Sequence, residues 1–162
     1  MTDPYIVRPA SLDDADALVR HRIGMFSDMG VEMDREVLAR AFRAWLNDAM
    51  PAGTYRAWVV EPSHGVTAGS VDAVIAGGGI TILPWPPGPR YLSDRLAFVY
   101  NVYVDPDHRR RGVARRIMNA IHAWCRQSNI ASVALNASRD GQALYESMGY
   151  RVSPNPMMFL AL

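Results

Sequence analysis

Five arginines fall within eight positions, Arg109, Arg110, Arg111, Arg115 and Arg116, and Gly112 sits among them. An apolar, β-branched and aromatic run, Leu96 to Val104, leads into this cluster and stops at Asp105-Pro106. A helical pattern leaves it, with Val113, Ala114, Ile117, Ile121 and Trp124 on one face. The spacing therefore predicts a strand, a tight basic turn and a helix over 111–128. A helix N-terminus presents unpaired N–H groups and a partial positive charge, which suit a phosphate-sized anion. Basic side chains oppose the dipole there, at up to ~1 kcal/mol each, so five within eight positions call for an anion to offset them. Gly112 is expected to let the backbone approach that ligand with no Cβ in the way, and the small Ala114 keeps the first turn thin. A solvated basic helix start and a nucleic-acid patch are the duller readings of the same residues. A Walker loop is excluded, because the chain has no lysine. Gly77-Gly78-Gly79 precedes a strand-like run rather than a helix, so it is no dinucleotide fingerprint.

The run Arg109-Arg110-Arg111-Gly112-Val113-Ala114 resembles the Arg/Gln-x-x-Gly-x-Gly/Ala loop of the GNAT superfamily of acetyl-CoA-dependent N-acetyltransferases, in its bacterial form. Residues 131–150, ASVALNASRDGQALYESMGY, resemble the same family's strand, Asn, short helix, Leu-Tyr-Glu and Gly-aromatic sequence. The resemblance is close over residues 96–152 and rests on pattern elsewhere. It implies acetyl-CoA as co-substrate, with the backbone of residues 109–114 around the pyrophosphate. Arg109, Arg110, Arg111 and Arg115 would add charge there or at the 3′-phosphate. It also implies that Val102, Tyr103 and Val104 pair with the pantetheine arm like an added strand, that this strand splays from the one near 131–138, and that a backbone N–H polarises the thioester. Asn136 would bond the pantetheine amides. Tyr145 would sit near the sulfur and protonate the leaving thiolate, a role open to a phenol of pKa ~10. Each position also has an ordinary reading: core strand, turn residue or packing aromatic.

One carry-over fails. Some GNAT members use a Glu on the core strand as general base, and residues 96–104, LAFVYNVYV, hold no Asp, Glu or His. A water chain, Tyr100, Tyr103 or an acid from another element would have to stand in. Asp28, Glu32 and Asp34 lie at the join of the first two helices, a region that walls the acceptor pocket in this family. They fit a cationic amine, and equally a helix cap and surface charges.

Composition sets the remaining bounds. The 162 residues are expected to form one domain over 1–162. A formal net charge of +1 offers no bulk field for nucleic acid or acidic membranes. All 17 basic residues are Arg, so the chain has no lysine of its own to acetylate. The lone Cys125 allows no intrachain disulfide and reads as a packing residue. His21, His64, His108 and His122 have no metal-ligand spacing, so no metal site is expected, and His108 reads as solvent-facing. No apolar run approaches the ~20 residues of a membrane span. With no apolar leader visible, a cytoplasmic protein is expected.

Along the chain, Ile6-Val7-Arg8 reads as a strand. Ser11 reads as an N-cap with Asp14 three residues on. Helices follow to Gly30 and over 34–50, the latter with the stripe Leu38, Ala41, Phe42, Trp45 and Leu46. Strands are expected over 55–60, 74–83, 96–104 and 131–138, a polar hairpin connection over 61–72, and a short helix over 140–148. Pro84 to Pro89 is expected to stay out of the ladder, and the tail from Tyr150 to Leu162 to form two short strands. The fold class is α/β, an α+β mixed sheet. The GNAT resemblance makes that sheet twisted and mostly antiparallel, with about six to seven strands flanked by about four helices. The function that follows is an N-acetyltransferase acting on a primary amine, most simply of a small molecule, through a tetrahedral intermediate. A non-enzymatic acyl-CoA-binding module is the alternative, and a homodimer is compatible with either.

Overall fold

The computed structural model describes residues 3–64 and 73–162. Its strands are β1 (Tyr5–Pro9), β2 (Tyr55–Pro62), β3 (Ala76–Pro84), β4 (Arg95–Val104) and β5 (Val133–Leu135). Its α-helices are α1 (Ala15–Asp28), α2 (Arg35–Ala49), α3 (Val113–Gln127) and α4 (Gln142–Ser147). The strands lie in chain order, β1-β2-β3-β4-β5. The first four pair antiparallel, and β4 with β5 is parallel.

The side-chain period of two splits the core between the sheet's faces. From β2, Tyr55, Ala57 and Val59 join Leu18, Phe42 and Leu46 under α1 and α2. Trp58 and Val60 point the other way, to a cluster with Val113, Ile117, Met118, Ile121 and Cys125 of α3. Cys125 is buried there, and burial pushes its thiol up to about 11, as expected of a packing residue. Ile117 is fully buried, so Ile117→Ala should cost about 2–5 kcal/mol.

The N-terminal turn is tied down as its residues foretell. The Asp14 carboxylate accepts from the Ser11 N–H at 2.8 Å and completes a capping box. Arg8 then donates to Asp14 at 2.8 and 2.9 Å and to Glu61 at 2.6 Å, joining β1, this turn and β2. Both carboxylates are buried, and a bidentate arginine is the partner best able to offset their desolvation.

The three strand glycines have steric causes. A Cβ on Gly78 would sit 2.9 Å from Ile117, one on Gly77 3.0 Å from the His21 ring, and one on Gly79 inside the Tyr55 phenol. They let helix and aromatic side chains close directly on β3.

Several expectations need correction. The sheet has five strands among the described residues, not six to seven. Residues 150–162 form no strand: Met158, Phe159 and Leu160 are more than four-fifths exposed and pair with no strand of the sheet. β2 runs on through Glu61 and Pro62, because Arg8 buries the Glu61 carboxylate, so the polar connection starts later than residue 61. Residues 65–72 of that connection lie outside the described residues. Pro84 does join the ladder, opposite Arg95 at the end of β3. β5 is three residues long rather than eight. His108 is half-buried, 3.1 Å from the Tyr5 hydroxyl, rather than solvent-facing.

His21 is the buried titratable group between α1 and β3, 1% exposed. Burial, aided by Arg20, lowers its pKa to about 4, so it is neutral in the fold. An unfolded histidine titrates near 6.5, so the folded state loses stability as pH falls from about 6.5 toward 4. Denaturant titrations should give about 2 kcal/mol less stability at pH 5 than at pH 7 from this residue, and His21→Gln should flatten that slope.

Candidate active site

The ladder between β4 and β5 sets the site. It runs only from Ala97↔Val133 to Val99↔Leu135. β4 continues for five more residues, Tyr100 to Val104, with no β5 partner. A gap therefore opens on that edge of β4, where sequence reasoning expected the strands to splay. Val102 and Val104 pack toward the α3 side of the sheet, and Tyr103 packs toward α1.

β4 is also irregular on its other edge. Gly79 opposes Tyr100 and Gly77 opposes Tyr103, so Asn101 and Val102 share the single partner Gly78. Asn101 takes φ 60°, a left-handed conformation that asparagine tolerates better than most residues. This bulge turns the buried Asn101 toward α1 and α2. Its Oδ1 accepts from Arg22 Nη1, and its Nδ2 donates to the Tyr55 hydroxyl at 3.3 Å. Burial pushes the Tyr55 phenol up to about 12.

Beyond β4 the chain makes a 3-10 turn over Pro106–His108 and reverses through Arg110 (φ 60°) and Gly112 (φ 76°) into α3. The backbone N–H groups of residues 110–114 have no hydrogen-bond partner among the described residues. They form the anion-ready helix start that the sequence predicts. Nothing lies within 4 Å of a Cβ built on Gly112, so in the unliganded chain its left-handed φ, not crowding, is what requires glycine.

The arginines divide. Arg110 and Arg111 are exposed and have no partner among the described residues. Arg115 Nη2 donates to Ser147 Oγ at 2.6 Å and ties α3 to α4, and Arg116 pairs with Asp3. Arg109 turns away from the helix start. It donates to Asp28 at 2.5 Å and to the Val104 carbonyl at 2.9 Å, and lies over the Tyr103 ring. Asp28 thus serves as its counter-ion, and the Val104 carbonyl is already engaged.

Asn136 is exposed, directly after β5. Tyr145 sits on α4, half-buried against the α3 cluster, and its hydroxyl has no partner among the described residues. Burial raises its pKa, so the phenol keeps its proton through neutral pH. Its ring meets Tyr150 edge-on at 5.8 Å, and the Tyr150 hydroxyl is 2.7 Å from His122 Nε2. On the α1 side, an open cleft of about 570 Å³ is lined by Ile23, Gly24, Asp28, Arg35, Tyr103 and Asp105 among others. Asp34 caps α2 by accepting from Glu36 and Val37 N–H, and Glu32 is exposed. Trp85 and Tyr91 are about half exposed on the β3–β4 loop.

Comparison with known proteins decides the family. Residues 31–150 match the model described as the acetyltransferase (GNAT) family. The chain belongs to this family. It is 34% identical to a GCN5-related N-acetyltransferase of known structure from Ralstonia eutropha, over 96% of this chain and 98% of that one, with a TM-score of 0.81. An acetyltransferase from Clostridium acetobutylicum solved with acetyl-CoA has the same fold: TM-score 0.81, 21% identity, and 96% of each chain covered. An aminoglycoside N(6′)-acetyltransferase type 1 from Acinetobacter genomosp. 13 is 27% identical over 67 residues. That match covers 40% of this chain and about half, 46%, of that relative's length.

Sequence reasoning missed Asn101, Arg22 and Tyr150 as candidate site residues. One available signal was Asn101, the single non-aromatic polar residue within LAFVYNVYV. Tyr150 is the aromatic of the Gly-aromatic pair quoted above, and Arg22 carries no signal, because tertiary contacts give it its place. The Gly112 geometry is directly testable: Gly112→Ala should cost about 1–2 kcal/mol. Its melting temperature should fall by about 5 °C.

Proposed function

We propose that the chain, as one domain over residues 1–162, transfers the acetyl group of acetyl-CoA to the primary amine of a small molecule. The observation that carries this reading is the combination at one end of β4. The strand loses its partner after Val99, and the unpaired N–H groups of residues 110–114 follow within the next turn. An extended, amide-bearing arm with a pyrophosphate at its end suits both features. Val102 and Tyr103 offer backbone to the arm, Asn136 an amide, and residues 109–114 their N–H groups to the pyrophosphate. Arg110 and Arg111 bring the uncommitted charge, while Arg109 acts by holding α1 against the turn. The Clostridium structure solved with acetyl-CoA, which shares the fold, supports acetyl-CoA as the ligand.

The chemistry then follows. The amine lone pair attacks the thioester carbonyl carbon, a C–N bond forms, and negative charge moves to oxygen, where a β4 N–H stabilises it. Collapse breaks the C–S bond, and the thiolate takes the Tyr145 proton. The amine proton leaves to water, and Tyr145 is reprotonated from solvent. Holding the two reactants together supplies much of the acceleration, which accords with the lack of a carboxylate on β4. The Acinetobacter relative supports a small-molecule acceptor.

Calorimetric titration tests the cofactor site. Acetyl-CoA should bind saturably to the wild type and not to an Arg111→Glu/Gly112→Glu variant, and no binding to wild type at millimolar cofactor would sink the proposal. Binding without thioester loss across an amine panel would instead favour an acyl-CoA-binding module. Tyr145→Phe should lower kcat by about 10²-fold and leave the acetyl-CoA dissociation constant within a factor of about two.

A further inference from the structure

Several arginines that hold elements of this fold together meet carboxylates. Arg8 has Asp14 and Glu61, Arg20 has Asp105, Arg43 has Asp16 and Arg109 has Asp28. Arg22 is different. Its guanidinium is half-buried between the rings of Phe26 and Phe42, with centroids at 5.0 and 4.8 Å. Its single polar partner among the described residues is the neutral Asn101 side chain. Its Nε is buried with no acceptor, and Nη2 has none either. Burial lowers its pKa, which the nearby Tyr55 and Tyr100 phenols partly offset. A cation partly withdrawn from water without a counter-ion is costly, and the described residues do not supply the missing charge.

The place matters as much as the charge. Asn101 is the second residue past the end of the β4–β5 ladder, and Tyr100, two-fifths exposed, precedes it. Arg22 thus meets the sheet at the point where the gap opens, on the α1–α2 side, opposite the α3 face. The aromatic faces beside it are filled by the guanidinium itself, so they are not available to cage a substrate cation.

We propose that Arg22 reads an anionic oxygen group, carboxylate or phosphate, on the amine acceptor. The acceptor is then a small amine that also carries an acid, of the amino-acid or amino-sugar-phosphate kind, and not a polycation. The inference rests on the acetyltransferase reading above. The Nη2 end of the planar fork, which has no acceptor among the described residues, is suited to such an oxyanion. The Asn101 bond and the two aromatic rings fix the fork in place before the substrate arrives, which cuts the cost of ordering it. Anchoring the acid there would leave the amine to reach back along Tyr100 toward the thioester.

The test compares matched amines with purified protein and acetyl-CoA, following thioester loss. The panel holds amino acids, their primary amides, an amino-sugar phosphate with its unphosphorylated sugar, and an aminoglycoside. An acid should outrun its neutral analogue by about 100-fold in kcat/KM. The amino-acid and amino-sugar arms say which oxyanion is used. Arg22→Met keeps the apolar stem between the two rings and should abolish that ratio through KM, with acetyl-CoA affinity unchanged. Arg22→Lys should restore part of it. Turnover with no preference for the acid, or best turnover with the aminoglycoside, overturns the assignment of Arg22 while leaving the acetyltransferase reading intact. Weaker acetyl-CoA binding in a folded Arg22→Met protein overturns it too, because the arginine would then serve the cofactor. Absence of any thioester loss with every amine removes the underlying reading, and the inference with it.

Discussion

Everything at the candidate site depends on β4 and β5 staying together for three residues and no more. Parallel strands draw their stability from hydrogen bonds on both sides and from helices over both faces. Here the ladder stops after Val99, yet β4 stays extended, because β3 pairs its other edge as far as Val104. One strand therefore has a satisfied edge and a partnerless edge over the same residues. Backbone groups on the partnerless edge require a hydrogen-bond partner from water or a ligand. The fold thus offers an extended ligand a preformed template, held straight by the far side of the sheet.

The same strand accounts for the asymmetry of the two helical layers. Three glycines in β3 let Tyr55 and His21 approach from one side and Ile117 from the other. The bulge opposite Gly78 then turns Asn101 into the α1–α2 layer while Val102 stays with α3. One strand irregularity separates two environments. The α3 side carries a basic helix start and a half-buried tyrosine, and the α1–α2 side carries a caged guanidinium. Charge follows the same division. The carboxylates of Asp14, Glu61, Asp105 and Asp28 are spent on arginines that hold elements together. Arg22, Arg110 and Arg111 have no carboxylate partner among the described residues, and they border the gap or the turn beyond it.

α4 is short, and its hold on the rest of the molecule is correspondingly particular. Arg115 reaches across to Ser147, and His122 to the Tyr150 hydroxyl. Both anchors come from the same helix, α3, whose N-terminus forms the basic turn. The position of Tyr145 is therefore coupled to the geometry of that turn through one rigid helix packed on the sheet, rather than through the three-residue β5.

The sequence alone determined the elements with strong local signals. The amphipathic periods of α2 and α3, the Ser11–Asp14 cap and the strand-turn-helix around Gly112 all follow from side-chain spacing and backbone preference, which act over a few residues. The resemblance over 96–152 identified the family for the same reason, since a loop that wraps a phosphate constrains consecutive residues. Tertiary structure decided what depends on partners distant in the chain. The apolar tail after Tyr150 reads as strand by composition, yet composition does not supply a partner, and the tail lies exposed and paired to no strand. Arg109 reads as a phosphate ligand by its place in the run, and the fold gives it a tie that the run does not reveal, an ion pair with Asp28, far away on α1. Arg22 and Asn101 sit 79 positions apart and become one feature only when a bulge in β4 meets the face of α1. Spacing reveals a helix or a turn because those are local. It does not reveal which cation the folded chain leaves without a counter-ion, because that is settled by every element that packs around it.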